Sequence, residues 1–231
     1  MTIGDSSAAR TKILARIRKA QGHGAGGATP AQREAVQTYL RAHPRGPLPE
    51  ISGDLVARFR ERAESMQSTT EEAATQADVP AAVARYLTAN KLPARGCVWP
   101  ALAYLDWEDA GLAMEPRAPR RGDGDDDPVG VTGVFAAIAE TGTLMTVSGP
   151  DTPASTSLLP ETHVAVLAAG RIVAHMEQCW DLARSAFGEL PRAVNFISGP
   201  SRTGDIEQKL VLGAHGPYRV HIVIVRGWHR I

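Results

Sequence analysis

Cysteine is nearly absent from this sequence: two residues in 231, Cys97 and Cys179. They stand 82 positions apart, with no C-x-x-C or C-x-x-x-C spacing. The chain therefore cannot by itself supply a four-cysteine iron–sulfur or zinc site, and two buried thiols in a reducing cytosol are expected. Charge of one sign is also missing, since 25 basic residues offset 25 acidic ones. Nucleic acid and anionic membranes each need a positive surplus, so neither is expected as the main partner. Near-zero net charge leaves self-association open. No run approaches the roughly 20 apolar residues of a membrane span, and the first residues lack an apolar core of signal-peptide length. A cytoplasmic location is the expectation. Aromatic residues make up only 5%, and the four tryptophans are scattered, which favours core or interface filling.

What remains is the composition of an ordinary soluble protein, 43% hydrophobic and 22% charged. Strand patterns alternating with helical ones argue for an α/β sheet covered by helices. Ile13, Leu14 and Ile17 among Arg10, Lys12, Arg16, Arg18 and Lys19 spell a short basic amphipathic helix. Gly22-His23-Gly24-Ala25-Gly26-Gly27 ends it. This run satisfies G-x-G-x-x-G but follows a helix instead of a strand, so it is a linker and not a dinucleotide fingerprint. Residues 1–30 are thus an arm and linker, and 31–231 one α/β domain, helical to about 92 and sheet-rich beyond. In the helical part, Asp78-Val79-Pro80 marks a helix start. In the sheet-rich part, strands are expected at Cys97–Trp99, Gly130–Ala139, Thr143–Val147, His163–Leu167, Val194–Ile197 and Val220–Val225. Ala169-Gly170 reads as a hairpin turn with Ile172 and Val173 returning, and Cys179–Phe187 as an amphipathic helix. Asp123 and Asp125–Asp127 form an acidic stretch. Pro128 stands where an EF-hand needs glycine, so the stretch reads as a solvated loop.

Two segments carry candidate chemistry. In Ala139-Glu140-Thr141-Gly142-Thr143 a carboxylate sits in a turn of small residues, with backbone space at Gly142 and hydroxyls at Thr141 and Thr143. Glu140 suits a general base, a nucleophile, a binding acceptor or a structural carboxylate. The second segment, Ser198-Gly199-Pro200-Ser201-Arg202-Thr203-Gly204-Asp205-Ile206-Glu207, has the grammar of an anion-cradling strand-to-helix loop. Ser198, Gly199, Ser201, Thr203 and Asp205 are its candidate ligand contacts, with Asp205 and Glu207 in the first helical turn. His163, His215 and Gly216 lie in apolar, Gly- or Pro-flanked company. Each histidine suits a hydrogen-bonded structural role or a ligand contact. No H-x-H, H-x-x-x-H or H-E-x-x-H spacing supports a metal site, and no G-x-S-x-G elbow is present.

Three ordered blocks over about 95 residues carry a family resemblance. They are Val131-Thr132-Gly133-Val134-Phe135-Ala136-Ala137-Ile138-Ala139-Glu140-Thr141-Gly142-Thr143, then Leu158-Leu159-Pro160-Glu161-Thr162-His163-Val164-Ala165-Val166, then Ile197 to Glu207 ending in Gly213-Ala214-His215-Gly216-Pro217. In these the chain resembles the LUD family, named for lactate utilisation, and within it the lactate utilization protein C branch. The resemblance implies a three-layer α/β sandwich similar to the NagB/RpiA/CoA-transferase fold. It also implies a non-redox subunit or accessory role in bacterial oxidation of L-lactate to pyruvate. Iron–sulfur partner proteins would carry the clusters and this chain no cofactor of its own. The alternative is a self-sufficient enzyme or ligand-binding regulator for a phosphorylated or CoA-type small anion. The fold analogy further offers Glu140 as a thioester-attacking glutamate, although fold position alone does not transfer chemistry.

Overall fold

The structure, a computed structural model, describes residues 7–22, 27–120, 122, 126–206, 209–213 and 215–228. It divides at residue 48 into two units. The first holds α1 (Ser7–Ala20) and α2 (Pro30–Ala42). Thr29 caps α2 through a reciprocal box with Gln32, Pro30 occupies its first turn, and His43 ends it in the left-handed region. Neither helix buries a residue within its unit, and Ile13, Ile17, Val36, Tyr39 and Leu40 are exposed.

The second unit runs α3 (Leu55–Ser65), β1 (Thr69–Ala73), α4 (Val79–Ala89), β2 (Arg95–Val98), β3 (Ala113–Pro116), β4 (Val129–Gly133), β5 (Ala136–Ile138) and β6 (Thr143–Val147). It continues through β7 (Thr162–Ala168), β8 (Ile172–Val173), α5 (Met176–Phe187), β9 (Val194–Ile197), β10 (Arg202–Ile206), β11 (Lys209–Leu212) and β12 (Arg219–Val225). Six strands form a wholly parallel sheet in the order β1-β12-β7-β4-β2-β3. A smaller sheet, β8-β5-β6-β9, is mixed.

Burial explains this layering. Strands β4, β7 and nearly all of β12 are covered on both faces, as parallel strands demand. On one face Val131, Val164, Val166 and Val223 pack against Val79, Val83 and Leu87 of α4. On the other, Ala165, Leu167, Ile222 and Ile224 meet Val56 and Phe59 of α3 and Leu144 of the smaller sheet. The far side of that sheet, with Ile138 and Met145, is closed by Cys179 and Ala183 of α5. The chain is thus α/β, with a mainly parallel sheet flanked by helices. Cys97 and Cys179 are both buried free thiols, pushed up to about 12 by burial.

The structure departs from the sequence expectations at five places. The expected Gly130–Ala139 strand is two, β4 in the parallel sheet and β5 in the smaller one, broken at Val134-Phe135. Thr69–Ala73 is an edge strand inside the stretch read as helical; its Thr-Thr-Glu-Glu pattern lacks the apolar density of its neighbours. Ile172–Val173 does not return along β7 as a hairpin; it crosses to the smaller sheet and pairs in parallel with β5. No helix follows Thr203-Gly204: Arg202–Ile206 pairs antiparallel with Lys209–Leu212, so Asp205 lies in a strand, not a first helical turn. Glu207, Asp123 and Asp125 lie outside the described residues. Asp127 is not a solvated loop residue but is buried in a two-pronged ion pair with Arg117, at 2.6 and 3.0 Å, and accepts the Arg120 N–H.

Two imidazoles are locked inside the parallel sheet. His163 Nε2 lies 2.8 Å from Thr132 Oγ1, and His221 Nδ1 lies 2.8 Å from Thr69 Oγ1 beneath the Tyr86 ring. The second nitrogen of each is buried without a hydrogen-bond partner among the described residues. Burial pushes both down to about 4 from an ordinary 6.5. Between those values the unfolded chain takes up protons that the folded chain refuses, so stability rises with pH. We expect full stability above about pH 6.5 and progressive loss toward pH 4, on the order of 3 kcal/mol per imidazole. Urea unfolding stepped from pH 7 to 4.5 checks this, and His221→Gln should flatten part of the slope.

Candidate functional site

The smaller sheet builds the site by main-chain bonding. β5 and β8 pair in parallel, Ala137 with Ile172 and Ile138 with Val173. The zipper runs on past the strands: Ala139 N–H donates to Val173 O at 2.8 Å and Glu140 N–H to Ala174 O at 3.1 Å. The next residue on the β8 side is His175, which precedes α5. Its main-chain N–H donates to Gln178 Oε1 at 2.9 Å, fixing its position at the helix start. The two side chains then meet, His175 Nδ1 lying 2.8 Å from Glu140 Oε2. An ionised carboxylate only accepts, so the proton resides on Nδ1 and leaves Nε2 as the basic nitrogen of the neutral ring. His175 is largely covered, its side chain 12% exposed, while Glu140 keeps 33%. This is the arrangement in which a carboxylate orients an imidazole.

Hydroxyls lie on the same turn. Thr141 Oγ1 is 2.7 Å from Thr143 Oγ1, which is 3.1 Å from Ser198 Oγ across the sheet, where Leu144 pairs with Ile197. Gly142 and Gly199 make this meeting possible. Both hold φ in the left-handed region, at 67° and 75°. A Cβ on Gly142 would lie 2.3 Å from Ala63 N, and one on Gly199 would lie 2.1 Å from Met66 O. Two separate loops are thereby pressed onto the last turn of α3. Arg202 joins them: its guanidinium donates to Met66 O at 3.0 Å and lies against Gly199.

The other expected residues fall elsewhere. His163 is enclosed within the parallel sheet and turned toward Thr132. Ser201 belongs with the Gly213–Pro217 segment: its N–H donates to Pro217 O, its carbonyl accepts from Gly213 N–H, and Gly216 packs against its side chain. That use of the Ser201 N–H, with the absence of a helix after it, removes the helix-terminus geometry expected of an anion cradle. Thr203 and Asp205 are in β10, and His215 is exposed in the segment before β12. Among the described residues no group of three or more His, Cys, Asp or Glu side chains forms a metal cluster, and no helix is long and apolar enough to cross a membrane. His175 is the residue that sequence reasoning missed. Its signal, His175-x-x-Gln178 opening a helix, differs from the usual Ser/Thr/Asp/Asn start, and its partner is 35 positions away.

Comparison with known proteins places this arrangement in a family. The LUD domain model matches residues 56–225, a span that encloses every residue of the site, and the chain belongs to that family. Lactate utilization protein C of Bacillus subtilis (strain 168) is 38% identical over 100 residues, 42% of each chain. Lactate utilization protein C of Exiguobacterium sp. (strain ATCC BAA-1283 / AT1b) is 38% identical over 129 residues, 52% of each. The chain thus matches about half the length of these relatives. The crystal structure of a DUF162 family protein from Deinococcus radiodurans superposes with a TM-score of 0.59 at 23% identity, covering 77% of this chain and 99% of that one. That likeness is one of fold.

Because the α3 contact is backbone against backbone, Gly142→Ala should be poorly tolerated. We expect more than about 2 kcal/mol of destabilisation, from the left-handed penalty plus the displaced turn. Urea titration checks this, and Ala at exposed Gly53, which has open space around it, should cost less.

Proposed function

We propose that this chain is a non-redox subunit or accessory protein of L-lactate oxidation, working in the cytoplasm beside iron–sulfur proteins. The observation that carries the reading is the likeness to proteins named lactate utilization protein C, joined to a family match that encloses the Glu140–His175 pair. Lactate becomes pyruvate by losing its hydroxyl proton and its C2 hydrogen, a two-electron oxidation. Two buried cysteines, one on β2 and one on α5, do not fit a cluster-binding set, so the electrons pass to the partner chains. The chemistry left to this chain is proton and anion handling. His175 Nε2 accepts the hydroxyl proton, and the C2 hydrogen leaves with its electron pair to a hydride acceptor on the partner chains, which passes the two electrons on to their clusters. Glu140 orients the imidazole, and Arg202 beside Gly199 pairs with the carboxylate.

Lactate-dependent dye reduction, reconstituted from the iron–sulfur partners with and without this chain, tests the proposal. Activity and a co-eluting complex should both require the chain. Glu140→Gln should lower the rate about tenfold or more while leaving co-elution and the melting temperature in place. Full activity without the chain, and no co-elution, would overturn the subunit role in favour of a self-sufficient enzyme or a regulator that binds a small anion.

A further inference from the structure

A concavity lies away from the Glu140–His175 pair, and the sheet topology explains its position. From β2 the chain moves outward to the edge strand β3; from β4 it moves inward, through the smaller sheet, to β7. The carboxyl ends of β2 and β4 therefore flank a point where the strand order reverses, where open parallel sheets leave a crevice. A cavity of about 520 Å³ occupies that crevice, lined by Trp99 just after β2 and by Gly133, Val134 and Phe135 at the end of β4. Phe187, at the last turn of α5, forms part of the wall, whereas His175 precedes the first turn of the same helix. Twelve helical residues separate the two sites, a rise of about 18 Å.

The lining defines a ligand class. Aromatic rings come from Trp99, Phe135, Phe187 and Trp228, with Tyr104 at the rim. Phe135 and Phe187 pack tilted at 5.2 Å, and the Arg171 guanidinium lies 5.3 Å over the Phe135 ring, outside the lining. The Trp99 indole is pinned at its edge, Nε1 donating to Pro153 O at 3.0 Å. Tyr104 donates to Gln76 Oε1 at 3.0 Å, holding that amide at the cavity mouth. Among the described residues, no lining side chain carries a charge at neutral pH. Phe187 and Tyr104 are 41% and 58% exposed, so apolar ring surface stands open to water in a concave place instead of being closed by packing. We infer that this crevice binds a flat, uncharged aromatic ring system, which stacks on the indole and phenyl walls and takes a hydrogen bond from the Gln76 side. It is separate from the proton-handling pair and does not depend on the lactate reading.

The probe is 2-naphthol, a neutral bicycle with one hydroxyl, titrated calorimetrically into the full chain. A saturable one-site isotherm is expected, with 2-naphthoate weaker by about tenfold or more because no cation faces its carboxylate. Ala101 lines the cavity but is exposed, so Ala101→Trp fills the space from the rim without disturbing the core. It should weaken 2-naphthol about tenfold or more at an unchanged melting temperature. No saturable heat, as a crevice filled by another segment or a partner would give, overturns the inference. Equal affinity in Ala101→Trp, or 2-naphthoate binding as tightly as 2-naphthol, overturns it too.

Discussion

The last turn of α3 touches two glycine backbones, Gly142 and Gly199, and the site depends on that contact. A side chain at either position would have to occupy space already held by main-chain atoms of Ala63 or Met66. Close approach lets Thr143 and Ser198, 55 residues apart, come within hydrogen-bonding distance. It also fixes the turn that presents Glu140. α3 itself is secured by Asp54, whose carboxylate caps Val56 and Ala57, and by Phe59, fully buried under the parallel sheet. Burial of one phenylalanine thus sets the height of the platform on which two loops rest.

The parallel sheet and the smaller sheet divide the work. His163 and His221 are held neutral in the large sheet, each with one ring nitrogen satisfied by a threonine and the other left dry. Such groups cost stability and exchange no protons with a ligand, since nothing but protein surrounds them. His175, by contrast, hangs at the edge of the small sheet with its partner carboxylate partly in water. The two environments separate structural from chemically available imidazoles, although all three are histidines flanked by apolar sequence.

Strands with long apolar runs were legible from sequence because their periodicity is local. Thr143–Val147 and Val194–Ile197 match their expected bounds, and β7 and β12 differ by a residue or so at the ends. The α/β class followed from alternation of strand and helix patterns. Glu140 stood out because a charged residue interrupts small and apolar neighbours. What stayed hidden is non-local. The direction of Ile172–Val173 depends on whether β5 or β7 offers the better partner, and two residues carry no pattern to decide it. The Ser-Gly-Pro-Ser loop reads as a phosphate cradle only if a helix follows. The hairpin partner that supplants the helix, Lys209–Leu212, lies beyond Glu207. Asp127 reads as solvated because the charge run around it is acidic, yet its partner Arg117 is ten positions earlier, just past the end of β3.

This distribution has a consequence for how the site forms. Its short strands, β5 with three residues and β8 with two, cannot persist alone, because so few ladder bonds do not offset the ordering cost. They exist because Ala137 and Ile172 are buried with Leu144 against α3 and the large sheet. The Glu140–His175 contact is therefore the last link of a chain of burial that begins at Phe59 and passes through Gly142. The sheet supplies rigidity, the glycines supply approach, and only then do a carboxylate and an imidazole 35 residues apart come within 2.8 Å of each other.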